Sequence, residues 1–264
     1  MSMDISYLAI AFAILTTILF LIILYFQNKK NKELEDLLQH TNNKLEELQV
    51  NFGRFAPQEV IEQLTDAEGR YKPSMRNVTV LFADLQGFTK MCEELDPPIV
   101  VSILNGYFRT MSKAISENHG RVTELMGDGM LALFGALVNN PWHVQDAVNG
   151  ALSMRIALSE YNAELRKKTL PELTFGIGIH QGEVLAGVMG NFELSKFAVV
   201  GDTINVASRI EALTRTLGVD LLISETVKMQ LDDRYSLKEM KPMPVKGKTH
   251  PITTYYVEGV KSQE

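Results

Sequence analysis

The chain has 264 residues, of which 45% are hydrophobic and 22% charged, an ordinary composition for a globular protein with a core of its own. Its formal net charge is −6, and because nucleic-acid backbones demand a cationic surface, this balance argues against a nucleic-acid partner. The single cysteine, Cys92, excludes an internal disulfide, and the five histidines lack the spacing of a zinc site.

Residues 5–26, near the N-terminus, form a stretch without a charged side chain. Its length, about 22 residues, is enough to cross the hydrocarbon layer of a bilayer as a helix. Residues 1–4 carry no basic side chain, which does not fit a secretory signal. By the positive-inside bias, the basic cluster after the stretch (Lys29, Lys30 and Lys32) places the rest of the chain in the cytoplasm. Residues 1–30 are therefore predicted to be a transmembrane helix with a basic flank, a single-pass anchor in the inner or plasma membrane.

Residues 31–55 carry apolar or small side chains at steps of four and three. The positions are Leu34, Leu38, Thr41, Leu45, Leu48, Phe52 and Phe55. This spacing predicts a short parallel coiled coil, although a plain amphipathic linker helix fits the same pattern. If the segment pairs with a second copy, it brings together two copies of the domain at residues 56–264.

The rest of the chain alternates short apolar strands with amphipathic helices. Strands are predicted at residues 77–82, 121–126, 130–134, 173–180, 183–189, up to 200, and 252–257. Helices are predicted at residues 97–118, 141–167 and 203–217. The first has its apolar face at Val101, Leu104, Phe108, Met111 and Ile115, and the second at Val144, Ala147, Val148, Ala151, Met154 and Leu158. This order predicts an α+β fold of the ferredoxin-like, split βαβ kind, with one antiparallel sheet and helices on a face.

Two aspartates stand at the ends of apolar strands. Asp84 lies in the segment LFADLQGFT at residues 81–89, and Asp128 lies in the turn MGDGM at residues 126–130. Two such carboxylates beside flexible glycines are what a pair of Mg²⁺ ions and a triphosphate need. The helix predicted to start after Gly87 would offer N–H groups to phosphate oxygens. Alternatively, Asp84 caps that helix and Asp128 only serves its turn.

A third block, GDTINVASR, occupies residues 201–209. Asn205 and Arg209 are four residues apart, so they share one face of the helix and can contact a charge-rich transition state. A buried amide and a surface ion pair would be the structural alternative. Near the end, residues 245–248 read VKGK, a short lysine–glycine segment that includes Lys246.

Together these blocks resemble the class III nucleotidyl cyclases, the adenylyl and guanylyl cyclase family, over residues 51–258. The resemblance implies two Mg²⁺ ions per site, with Mn²⁺ as a substitute, held by Asp84, Leu85 and Asp128. It also implies that Asn205 orients the ribose and that Arg209 stabilises charge on the α-phosphate. The implied substrate-binding residues are Leu85, Gln86, Gly87, Phe88, Thr89, Glu124, Ala198 and Lys246.

In this family the ribose 3′-hydroxyl attacks the α-phosphorus in line, without a covalent intermediate, giving a 3′,5′-cyclic nucleotide and pyrophosphate. The resemblance further implies that the metal aspartates and the Asn205/Arg209 pair come from different subunits. A chain that carries both halves is then expected to form a homodimer with two equivalent sites. The heptad pattern upstream agrees with this expectation.

The base of the substrate is read from two positions. Glu124 can accept hydrogen bonds from the N–H groups of guanine, so it favours GTP over ATP. Ala198 stands where guanylyl cyclases typically have Cys and adenylyl cyclases Asp or Thr, and its methyl group recognises neither base. Adenylate cyclase activity on ATP and a catalytically silent signalling module are the alternatives. A cyclic-dinucleotide synthase would need a different hairpin, Gly-Gly-acid-acid-Phe.

Overall fold

The computed structural model describes residues 5–53, 73–136, 139–190, 195–244 and 251–261. The chain divides into two units, Met1–Ile61 and Glu62–Glu264. In the first unit a continuous helix, α1, covers Ile5–Gly53. Its predicted heptad positions Leu34, Leu38 and Leu45 are more than half exposed, at 56%, 56% and 51%.

Large apolar side chains are also exposed along the first half of α1, among them Phe12, Leu15, Phe20 and Leu21. Within the part of the chain that the structure describes, no helix combines the length and the apolar character that crossing a membrane requires. The membrane span and the coiled coil stay predictions.

The second unit contains the remaining helices and strands. Its helices are α2 (Phe88–Glu94), α3 (Pro97–Glu117), α4 (His143–Lys167), α5 (Asp202–Leu217) and α6 (Glu225–Lys228). Its strands are β1 (Ser74–Gln86), β2 (Arg121–Met126), β3 (Gly129–Phe134), β4 (Thr174–Gly190), β5 (Ser195–Val200), β6 (Leu221–Ser224), β7 (Tyr235–Glu239) and β8 (Thr254–Val260).

The strands form one sheet in the order β2-β3-β1-β4-β6-β8-β7, with β5 paired to β4. The first four strands in this order, linked through α3 and α4, are the split βαβ arrangement, so the predicted α+β class is confirmed. The sheet is mixed rather than antiparallel, because β4 and β6 run parallel.

The two strands predicted at residues 173–180 and 183–189 are a single strand, β4. The turn expected between them does not form, because Gly182 stays in register opposite Val78 of β1. A side chain at Gly182 would meet Thr203 of α5, since its Cβ would lie 2.8 Å from the Thr203 hydroxyl oxygen. The glycine therefore makes room for a neighbouring helix instead of breaking the strand.

One face of the sheet packs against α3 and α4. Leu81, Ala83 and Leu85 of β1 enter this core, which the buried stripe of α4 completes as predicted. The buried stripe of α3 agrees with the prediction at Met111 and Ile115, whereas in the first half of the helix the buried residues are displaced by one position. Val101 is 55% exposed, and the buried positions are Val100, Ile103, Tyr107, Met111, Ala114 and Ile115. Both stripes are apolar, so only packing against the sheet decides between them.

Helix α5 covers the opposite face of the sheet. The helices were predicted to lie on one face, and this prediction is wrong for α5. Alternate strand residues point to opposite faces, which puts Gly176 and Gly178 of β4 beneath α5. A Cβ at Gly178 would collide with the backbone of Ala207 and Glu211. These two glycines therefore allow α5 to lie unusually close to the sheet. Asp84 is paired with Gly176 and lies on this same face.

Candidate active site

Asp84 and Asp128 meet at one end of the sheet. Strands β1 and β3 pair antiparallel up to Ala83 and Met130, so the last residues of β1 lie beside the turn that carries Asp128. Gly127 in this turn has a φ of 63°, which favours glycine. The Asp84 carboxyl group points toward this hairpin, because a Cβ at Gly129, the residue after Asp128, would lie 3.1 Å from Asp84 Oδ1. The predicted convergence of the two aspartates is therefore present in the fold.

This pair of carboxyl groups concentrates negative charge. Burial and the neighbouring Asp84 both raise the pKa of Asp128, with burial the larger cause. A Cβ at Gly129 would lie 3.1 Å from Asp84 Oδ1, so the glycine leaves that oxygen accessible. Carboxylate and main-chain carbonyl oxygens are the ligands that Mg²⁺ prefers. The donor set of Asp84, Asp128 and the Leu85 carbonyl fits a magnesium or manganese ion.

Across the described ranges, no cluster of three or more His, Cys, Asp or Glu side chains is placed to hold a metal ion. A cation bound at Asp84 and Asp128 would therefore need further oxygens from the main chain, water or substrate phosphates. This is the usual way in which nucleotide-processing sites bind Mg²⁺.

The segment after Asp84 turns sharply into α2. Gly87 has a φ of 74° and precedes the helix without a side-chain cap, leaving the first N–H groups of α2 open to other acceptors. Gln86 donates from Nε2 to the Phe175 carbonyl at 3.4 Å, which ties the turn to β4. Phe88 packs against the core, whereas Thr89 is exposed. The predicted substrate-binding residues at positions 85–89 thus follow Asp84 directly, from the end of β1 through Gly87 into α2.

Two charged residues of α5 that the sequence reasoning missed lie at the same place. Arg215 donates from Nη2 to Asp84 Oδ2 at 2.7 Å and to the Leu85 carbonyl at 3.1 Å. Glu211, one helical turn earlier, is only 5% exposed, and its Oε1 has no hydrogen-bond partner among the described residues. The sequence feature that could have identified them is their spacing of four residues, which puts both side chains on one face of α5. This is the helix that packs over Gly176 and Gly178.

Asn205 and Arg209 are not brought to these carboxylates. They precede Arg215 by ten and six residues, which corresponds to about 15 Å and about 9 Å along the axis of α5. Asn205 is exposed, whereas Arg209 is half-buried, and its Nη1 is buried without a hydrogen-bond partner in the described part of the chain. One protomer therefore presents the two halves of the predicted site at separate places.

The predicted base-reading residues lie on strands that are not neighbours. Glu124 is half-buried on β2, opposite Leu131 of β3 and directly after an irregularity in the register. Ala198 lies on β5, opposite Gly187 of β4. Lys246 lies outside the described residues, so its predicted phosphate contact stays a prediction.

The buried Glu211 gives the fold a pH dependence. Burial, and then the charge of Asp84, raise its pKa from the ordinary 4.5 to about 7, against the opposing effect of Arg215. Because the folded state holds this proton more tightly than the unfolded state, stability falls as pH rises from about 4.5 to about 7. The Glu211→Gln variant mimics the protonated acid. We expect it to exceed the wild type by about 2–3 kcal/mol at pH 8 and to match it near pH 4.5.

Urea unfolding followed by circular dichroism at the two pH values measures this difference. Glu225→Gln, on α6, is the control for the same chemical change outside this site. A stability difference for Glu211→Gln that does not change with pH would show that the acid is ionised in the folded protein.

Comparison with known proteins identifies the family of the chain. Residues 70–259 match the family model of the adenylate and guanylate cyclase catalytic domain. An adenylate cyclase of Anabaena cylindrica is 35% identical over 238 residues, which cover 86% of this chain and 46% of that protein. A soluble guanylate cyclase subunit beta-2 of Rattus norvegicus is 27% identical over 237 residues, 89% of this chain and 34% of that protein.

The crystal structure of the guanylyl cyclase Cya2 superposes with a TM-score of 0.65 and 36% identity, covering 72% of this chain and 95% of that one. The chain spans about half or less of the length of the curated relatives it matches. The match to the family model covers most of the chain, including Asp84, Asp128, Asn205 and Arg209. The chain belongs to the adenylate and guanylate cyclase family, whose members are phosphorus–oxygen lyases.

Proposed function

We propose that this protein is an active nucleotidyl cyclase, which converts a nucleoside triphosphate into a 3′,5′-cyclic nucleotide and pyrophosphate. The convergence of Asp84 and Asp128 at the end of β1, beside the turn into α2, is the observation that carries the proposal. A silent module has no need of two neighbouring, partly buried carboxyl groups, because their mutual repulsion opposes folding.

Each residue of the proposed site has a separate role in the reaction. Two divalent cations at this site would lower the pKa of the ribose 3′-hydroxyl and neutralise charge on the departing pyrophosphate. Asp84, Asp128 and the Leu85 carbonyl hold the cations, and the first N–H groups of α2 donate to phosphate oxygens. Asn205 orients the ribose, Arg209 stabilises charge on the α-phosphate, and Lys246 contacts the terminal phosphates.

A homodimer is part of this proposal. Asn205 and Arg209 lie about 15 Å and about 9 Å along α5 from Arg215, the residue that contacts Asp84, and this separation favours a site that they complete in a second copy. A second copy related by a two-fold axis would supply the missing pair, and the symmetry would create two equivalent sites. The exposed heptad positions of α1 offer a surface on which two chains could pair.

GTP is the proposed substrate, with ATP as the alternative. Glu124 is a hydrogen-bond acceptor suited to the N–H groups of guanine, whereas Ala198 gives no discrimination. The relatives include both adenylate and guanylate cyclases, so the preference rests on Glu124 alone.

The proposal is tested by incubating the full-length protein with Mg²⁺ or Mn²⁺ and either GTP or ATP, then separating the products by chromatography. We expect cyclic GMP and pyrophosphate as the main products. The Glu124→Lys variant should lower the GTP-to-ATP preference by about tenfold or more, because an ammonium group repels the guanine donors. Formation of cyclic AMP alone would reverse the base assignment, and no cyclic product from either nucleotide would contradict the proposed activity.

Membrane anchoring through residues 5–26 is a further part of the proposal, and its support is the uncharged sequence. The catalytic unit would then face the cytoplasm, on the side of the lysine cluster. Washing isolated membranes with alkaline carbonate distinguishes a chain that spans the bilayer from one that is bound only to its surface. Retention of the protein in the pellet is expected, and its release would show that residues 5–26 do not span the bilayer.

A further inference from the structure

Arg215 lies on oxygens that the proposed function assigns to a divalent cation. Its guanidinium is 2.7 Å from Asp84 Oδ2 and 3.1 Å from the Leu85 carbonyl oxygen. The side chain is 52% exposed, and the Asp84 side chain is 26% exposed. Arg215 is therefore held by its two acceptors rather than by packing, and it can move away without opening the core.

A cation bound through Asp84 Oδ1 and the Leu85 carbonyl oxygen would lie close to this guanidinium, and the two positive charges would repel each other. Mg²⁺ binds oxygen at about 2.1 Å, so a guanidinium donating to the same oxygen would lie within a few ångströms of a double positive charge. Repulsion at that distance, in a partly buried site, is larger than the attraction of an exposed ion pair. A cation that binds Asp84 and Leu85 therefore destabilises the observed position of Arg215 and favours its movement away.

The displaced guanidinium has an acceptor nearby. Glu211 lies four residues before Arg215 on α5, within reach of an ion pair along the helix. Its Oε1 has no hydrogen-bond partner in the described ranges. The carboxyl group is held against the sheet, where a Cβ at Gly176 would lie 2.7 Å from Oε1. A buried carboxylate without a partner gains from a guanidinium that turns toward it.

We propose that Arg215 is a two-position counter-ion of the catalytic site. It neutralises Asp84 until a divalent cation binds, and it then turns to Glu211. This inference rests on the cation site of the proposed function and adds that cation binding competes with a side chain of the protein. Arg215 is a positioning residue, since it acts through Asp84 and Leu85 and not on the substrate.

The competition is tested by titrating the full-length protein with Mn²⁺ alone and counting free Mn²⁺ by electron paramagnetic resonance. The Arg215→Gln variant should bind Mn²⁺ roughly two- to fivefold more tightly than the wild type, the factor expected for loss of a partly exposed ion pair. Arg166→Gln is the matched control. Its ion pair with Glu172 has the same 2.7 Å length, and the arginine is similarly exposed, so the change should leave Mn²⁺ binding unaltered.

Unchanged or weaker Mn²⁺ binding by Arg215→Gln would overturn the inference while leaving the cation site intact. No saturable binding by the wild type would overturn the proposed function as well. Thermal unfolding in buffer without divalent cations confirms that each variant folds.

The proposed contact of the displaced Arg215 with Glu211 is tested by introducing Glu211→Gln into the wild type and into the Arg215→Gln variant. In the wild-type background at pH 8, where Glu211 is ionised, the substitution should weaken Mn²⁺ binding, because the displaced guanidinium loses its charged acceptor. In the Arg215→Gln background, the same substitution should have little effect, since no guanidinium remains to be received. An equal weakening in both backgrounds would show that Glu211 acts on the cation directly, and the proposed second position would be wrong.

Discussion

The Asp84→Ala variant is expected to lose at least about a thousandfold in kcat, the largest effect of any single substitution in this protein. Asp84 is the residue where the sheet, the turn into α2 and the Asp128 hairpin converge. Without its carboxylate, Asp128 alone faces the cations, and one charged ligand cannot place both of them. Initial rates of cyclic nucleotide formation with saturating Mn²⁺ measure the loss.

Asp128→Ala should reproduce most of this loss, and the two changes together should cost little more than either alone, because the pair acts as a unit. Asp232→Ala is the control, since that carboxylate is engaged by Arg234 away from the site. An Asp84→Ala variant that keeps more than about a tenth of the wild-type rate would show that the proposed cation site is not the catalytic one.

The Arg209→Ala variant is expected to lower kcat by about a hundredfold to a thousandfold with little change in KM. Nη1 of Arg209 is buried and has no hydrogen-bond partner within the described ranges, so the structure leaves one donor of this guanidinium unused. Such a group stabilises charge that develops in the transition state more than charge already present in the bound nucleotide. Steady-state kinetics over a range of nucleotide concentrations separates the two effects.

Arg234→Ala serves as the control, because it removes an exposed arginine paired with Asp232. Should Arg209→Ala raise KM and leave kcat unchanged, Arg209 would bind the ground state of the substrate instead. Should it fail to fold, Arg209→Lys, which keeps the charge but loses the planar fork, still distinguishes the roles.

Much of the fold could be predicted because its signals are local. The apolar stripe of α4 and the glycine turn around Asp128 each depend on residues that are close together in the sequence. Their structures follow from helix and hairpin geometry. The convergence of Asp84 and Asp128 also followed, because both stand at ends of strands that pair in a split βαβ sheet.

The features that the sequence left open depend on tertiary packing. Strand β4 continues through Gly182, where a turn was expected, because β1 pairs along its length. The stripe of α3 could have buried Val101 or Val100, and only the sheet selects the second. Arg215 contacts Asp84 across 131 positions of sequence, and Gly176 and Gly178 make this possible by admitting α5 close to the sheet.

The most direct test of the central claim mixes Asp84→Ala and Arg209→Ala subunits, each inactive as a homodimer. In a statistical mixture half of the dimers are mixed, and each mixed dimer contains one complete site. Activity is therefore expected to return to about a quarter of the wild-type value. Mixed dimers that form, as shown by purification through two different tags, and yet stay inactive would contradict the account that the two halves of the site come from different subunits.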